Sequence, residues 1–159
     1  LVEAFYRADI DGRLLLAGKI EPEYRAVIEA LIKDERVITD FSFVSDEDMS
    51  GIMQIADAIV LPYENTSINS GMMINAFSNG TTVIGTNIEM LQDYSDELVY
   101  GYNYTDTDTH IKNLSYMMRK AFNDMKTREI NKKGYALEQS VMRDNTWEIV
   151  KDHLLLAVR

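Results

Sequence analysis

Short apolar runs alternate with amphipathic stretches along this chain. "LVEAFYRAD" spaces Leu1, Val2, Phe5 and Ala8 along one helical face, as if an element were entered partway along, which points to a piece of a longer polypeptide. "RLLLAGKI" is a strand-length run closed by Gly18. Pro22 then suits the first turn of a helix with Tyr24, Val27, Ile28, Leu31 and Ile32 on one side. "RVITDFSFV" is the next strand candidate, with Val37, Phe41 and Phe43 in partial alternation and Asp40 weakening its middle. "SDEDMSGIMQIAD" follows as a helix, with Ser45 as N-cap and acids in the first turn, where they favour the positive helix end. "AIVLPY" and "TTVIGT" are β-branched runs of strand length, and "ELVYGYN" is a weaker third. From about Thr109 the spacing is helical: Ile111, Leu114, Met117, Met118, Ala121, Phe122 and Met125, then "REINKKGYALEQSVM", then "NTWEIVKDHLLLAV".

Strand-length runs alternating with longer helices are the pattern of a parallel sheet covered by helices on both faces. The expected fold class is therefore α/β, a Rossmann-like parallel sheet with helices on both faces. No repeat, linker or compositional break divides the chain, so residues 1–159 read as one domain. At that length a chain removes roughly 70% of its unfolded surface from water, enough for a real core.

Charge narrows the partners. Sixteen Lys and Arg against 26 Asp and Glu give a net charge of -10, which disfavours nucleic-acid phosphates and anionic membrane surfaces. No apolar run approaches the roughly 18 residues that span a bilayer. The absence of Cys removes disulfides, thiolate nucleophiles and Cys-ligated zinc, and fits a cytoplasmic location.

The polar segment "ENTSIN" lies between two apolar strand candidates. In a doubly wound sheet ligands sit beyond the carboxyl ends of the strands, where loops meet the amino ends of helices. A helix starting near Ser70 and Gly71 places a glycine in its first turn, where an anion can approach the free N–H groups. Ser70 adds a hydroxyl; as a plain N-cap pair, Asn69 and Ser70 serve equally well. Asn79 and Gly80 end that helix with a pair tolerant of left-handed backbone.

In order and spacing, "LLLAGKI", "FSFVSDEDMSGIMQIADAIVLPY" and "NSGMMINAFSNGTTVIGTNI" resemble the carboxyl-terminal donor-binding domain of GT-B glycosyltransferases, close to family 4. The likeness is greatest to the branch with an S-G motif that serves polysaccharide and glycolipid assembly. The resemblance implies that Ser70, Gly71 and the amide of Met72 cradle the diphosphate of a nucleotide sugar. It sets Gly18 and Lys19 beside the same phosphates, and Val44 and Ser45 along the nucleobase, with Phe43 either beside them or in the core. Lys19 reads equally as an ordinary exposed strand-end residue. The family's Glu pair is absent: the second falls on Asn75, whose amide can still bond a ribose hydroxyl, and Glu64 is the acid nearest to the first.

The resemblance also implies an amino-terminal acceptor domain outside these residues, along with the first strand of this domain; any membrane contact would run through that missing part. The expected activity of the whole is retaining transfer from a UDP- or GDP-sugar, with no cofactor or metal, the isolated chain being inactive. The alternative is a noncatalytic nucleotide- or phosphosugar-binding module. Asp106 and Asp108 in "TDTDTH" carry a D-x-D spacing but precede a helix, so a cap is the expected role. His110 and His153 read as surface helix residues, and Met117, Met118 and Met125 as core filler. Trp147, Val150 and Leu154 form an apolar stripe.

Overall fold

A computed structural model of the chain describes residues 1–63, 71–87, 91, 94 and 97–144. The elements, in order, are α1 (Val2–Ala8), β1 (Leu14–Ala17), α2 (Pro22–Leu31), β2 (Val37–Asp40), α3 (Asp46–Ile55), β3 (Ala58–Leu61), α4 (Gly71–Ser78), β4 (Thr82–Thr86), β5 (Tyr100–Tyr102), α5 (Thr107–Lys126) and α6 (Glu129–Asp144). The fold is α/β, with parallel strands flanked by helices. Strand β1 pairs with β2, and β3, β4 and β5 form a second ladder in that order.

Alternation along β4 and β5 divides the interior in two. Ile84, Tyr100 and Tyr102 face a cluster built from Val2, Ala4, Phe5 and Ala8 of α1 with Leu114, Met118 and Ala121 of α5. Val83 and Val99 face the other cluster, with Met73, Ala76 and Phe77 of α4 and Leu137 and Val141 of α6. Successive strand side chains point to opposite faces, so one ladder serves two helical layers. The first cluster also takes Leu14 and Val37, so both ladders rest on the same helices. Met118 is buried there and Met117 and Met125 pack beside it, as expected of core filler.

Local chemistry sets the boundaries. Pro22 opens α2 where a missing N–H costs nothing. Gly80, at φ 71°, ends α4: its N–H donates to Phe77 O (3.0 Å) and that of Thr81 to Ala76 O (3.0 Å), the paired bonds of a left-handed helix end. Thr81 Oγ1 donates to Met53 O (2.5 Å), tying this exit to α3.

Three expectations need correction. Strand β2 stops at Asp40, whose Oδ1 accepts from the N–H and hydroxyl of Ser42 (3.0 and 2.6 Å); the turn diverts Phe41 and Phe43 from the ladder. Helix α2 buries none of its residues: Ile28 and Leu31 pack against the first cluster, but Tyr24 and Val27 stand exposed. His110 is buried, at 8% exposure, with its Nδ1 3.3 Å from the Tyr102 hydroxyl. Its place in the stripe of Leu114, Met118 and Ala121 was the signal that a surface reading passed over. His153, Trp147, Val150 and Leu154 lie outside the described residues, as does "ENTSIN".

Candidate functional site

Two groups of the expected site residues have defined surroundings. The first lies where β1 and β2 end. Gly18 leaves β1 at φ 118°, a conformation suited to glycine, and its N–H donates to Asp40 O (2.9 Å). Lys19 is exposed, its Nζ 5.2 Å from the centre of the Phe43 ring. That contact joins the exits of the two strands, and the core reading of Phe43 is overturned by its exposure of 71%. Val44 is half-buried, and Ser45 caps α3 as expected: its Oγ accepts from the N–H of Asp48 (3.1 Å) and donates to Asp48 Oδ2 (2.6 Å).

Phe43 and Val44, though not Gly18, Lys19 or Ser45, line a cleft of about 590 Å³ together with Asp40, Glu47, Asp48 and Ile52, among others. The sequence pointed to Val44 and Ser45; the acids on either side of them were not anticipated. Hydrogen bonds from Ser42 hold the Asp40 carboxyl below the usual range. An apolar ring beside carboxylates suits a planar, hydroxyl-bearing group better than a phosphate, which the acids repel.

The second group is on α4. Gly71 is its first residue, exposed, and among the described residues nothing stands within 4 Å of the position a β-carbon would take. Met72 is half-buried against the second cluster. Asn75, one turn on, accepts at Oδ1 from Asn79 Nδ2 (3.0 Å), while Gln54 Nε2 of α3 donates to Asn79 Oδ1 (3.1 Å). The Asn75 carbonyl group thus points along the helix toward its end, within an amide chain. Ser70 and Glu64 lie outside the described residues.

The helix starts differ in charge. α3 opens with Asp46, Glu47 and Asp48, and α5 is capped by Asp106; α1, α2 and α6 carry Glu3, Glu23 and Glu129 in their first turns. α4 has no acid in its first turn. A helix start attracts negative charge, and among the described helices five of the six starts hold some of their own.

No protein-family model matches the chain, and no curated protein matches it.

Asp106 acts as the expected cap: Oδ1 accepts from the N–H of Thr109 (2.9 Å) and Oδ2 from the Thr109 hydroxyl (2.7 Å). These bonds lower its carboxyl from the ordinary value. Among the described residues no group of His, Asp and Glu side chains could hold a metal, and no helix is long and apolar enough to cross a membrane.

Proposed function

We propose that residues 1–159 are the donor-binding half of a GT-B-type sugar transferase, with a nucleoside diphosphate sugar as substrate. The observation that carries this reading is the start of α4, a helix entered at an exposed glycine with no acid in its first turn. The first N–H groups of a helix have no partner within it, so those of Gly71 and Met72 are the groups that would meet a diphosphate there. The base and ribose would occupy the cleft beside Phe43 and Val44, where carboxylates accept from hydroxyls. Lys19, exposed with its Nζ over the Phe43 ring, is the candidate counter-charge for the phosphates. The chain's contribution to transfer is stabilisation of the departing diphosphate by helix N–H groups. The acceptor and its positioning would come from a domain outside these residues.

The engagement of Asn75 with Asn79 favours a second reading, a noncatalytic nucleotide-binding module, because the amide standing where the resembled family carries an acid already has a partner for its oxygen. Calorimetric titration with UDP and GDP tests what the two readings share. Weak binding is expected, lost in Gly71→Val, whose branched side chain takes the phosphate position; folding stability should change by less than about 0.5 kcal/mol, as at other exposed sites. Undiminished affinity in Gly71→Val would remove α4 from the site. A transfer assay on the full-length parent then separates transferase from module.

A further inference from the structure

Helices α3 and α4 are joined by a row of three carboxamides. Asn79 Nδ2 donates to the backbone O of Asn75 (2.8 Å) and to Asn75 Oδ1 (3.0 Å), and Gln54 Nε2 donates to Asn79 Oδ1 (3.1 Å). Which arm of a carboxamide is oxygen and which is nitrogen follows from the partners it meets. The deciding partner here is the backbone carbonyl of Asn75, which can only accept. It requires the nitrogen of Asn79 on its side, and the oxygen of Asn79 then faces Gln54. The Asn79 nitrogen, which can only donate, in turn requires the oxygen of Asn75. Turning Asn79 over would set two oxygens 2.8 Å apart, and turning Asn75 over would set two NH₂ groups 3.0 Å apart. The bond from Thr81 Oγ1 to Met53 O ties the two helices together beside this row.

The row therefore has a direction, and it ends on the nitrogen of Asn75. That nitrogen is the other arm of the carboxamide, turned away from Asn79, and among the described residues it has no partner. Asn75 itself is half-buried. Four residues earlier, on the same side of the helix, Gly71 is exposed, with nothing among the described residues within 4 Å of its β-carbon position. Asn75 thus offers two protons and no lone pair outward, the reverse of what a carboxylate offers. A ligand oxygen that carries negative charge and only accepts makes a strong bond with such a group. A hydroxyl can accept there as well, but its own proton is left without an acceptor on this side chain.

We propose that Asn79, backed by Gln54, is a positioning residue that locks Asn75 with its nitrogen outward, and that Asn75 consequently contacts an anionic oxygen of a phosphate group and not a ribose or sugar hydroxyl. The inference rests on the reading of α4 as a ligand-binding helix and deepens it by assigning the chemical class that this side chain meets. The lock is a property of the free protein, so it is measurable with no ligand present.

The experiment resolves the side-chain amides of the 159-residue chain by NMR, first free and then titrated with inorganic pyrophosphate and with UDP. In the free protein the Nδ2 protons of Asn79 are expected to exchange with water about tenfold more slowly than those of Asn75, as for a bonded against an unbonded donor. Asn79→Asp replaces the inner donor by an acceptor, so Asn75 should turn its nitrogen inward and its protons become the protected ones; a merely structural role for Asn79 would not reverse the pattern. Pyrophosphate should shift the Asn75 Nδ2 resonance and bind about tenfold more weakly to Asn75→Asp, whose carboxylate has no proton to give. UDP should behave alike. The two substitutions fall on different residues, so failure of one variant to fold leaves the other readable. Equal exchange at Asn75 and Asn79, an Asn75 resonance that neither anion moves, or affinity that is kept or raised in Asn75→Asp would overturn the proposal. Pyrophosphate acting as expected while UDP does not bind would end the nucleotide reading and leave the phosphate contact standing.

Discussion

At Gly134 of α6 a β-carbon would run into the carbonyl of Gly80, the residue that closes α4. Helix propensity alone favours Ala over Gly by about 1 kcal/mol, so the sign of Gly134→Ala is informative. Overpacking against backbone should win, with a loss of about 1–3 kcal/mol in denaturant unfolding; a gain would mean that the helices separate freely. Phe43 poses the opposite case. Its ring is exposed and supports little, so Phe43→Ala should alter stability by less than about 0.5 kcal/mol. The same change should weaken UDP and GDP in titration if the ring lines the base. Unchanged affinity would remove the cleft from the site.

Helix ends were the most legible elements, because their signals are local: Pro22, Ser45, Asp106 and Gly80 each act where the sequence placed them. Strand β2 was less so. Its alternation of Val37, Phe41 and Phe43 continues past the Asp40 turn, and apolar spacing does not reveal that a side chain has captured the backbone. The α5 cap allows a test by pH. The folded Asp106 carboxyl sits below its ordinary value of 3.8 through its bonds to Thr109. A lowered value means stability that is present above pH 3.8 and lost as the pH falls through the folded value. Asp106→Asn keeps an oxygen acceptor and should retain most of the stability at neutral pH with a shallower acid decline. Asp106→Ala should lower the melting temperature at neutral pH as well. Identical acid limbs in all three proteins would show that the cap carries no titrating stability.

Across the whole molecule, the α/β class was readable from alternating runs, since burying a parallel sheet on two faces needs that composition. The separation of the ladders was not readable: pairing between strands is set by crossover direction, and β1 and β3 look like ordinary interior strands in sequence. Among the site residues, Gly71 at a helix start was legible and the acids lining the cleft were not, because they come from β2 and α3 and meet only in the fold. The central claim is that one nucleoside diphosphate spans from this cleft to the start of α4. Its most direct test is amide chemical-shift mapping of the 159-residue chain titrated with UDP and with GDP. The expected result is a pair of perturbed patches, one at Gly71 and Met72 and the other at Phe43 and Val44, saturating with the same midpoint. Shifts confined to one patch, or located away from both, would contradict a single diphosphate site built from these residues.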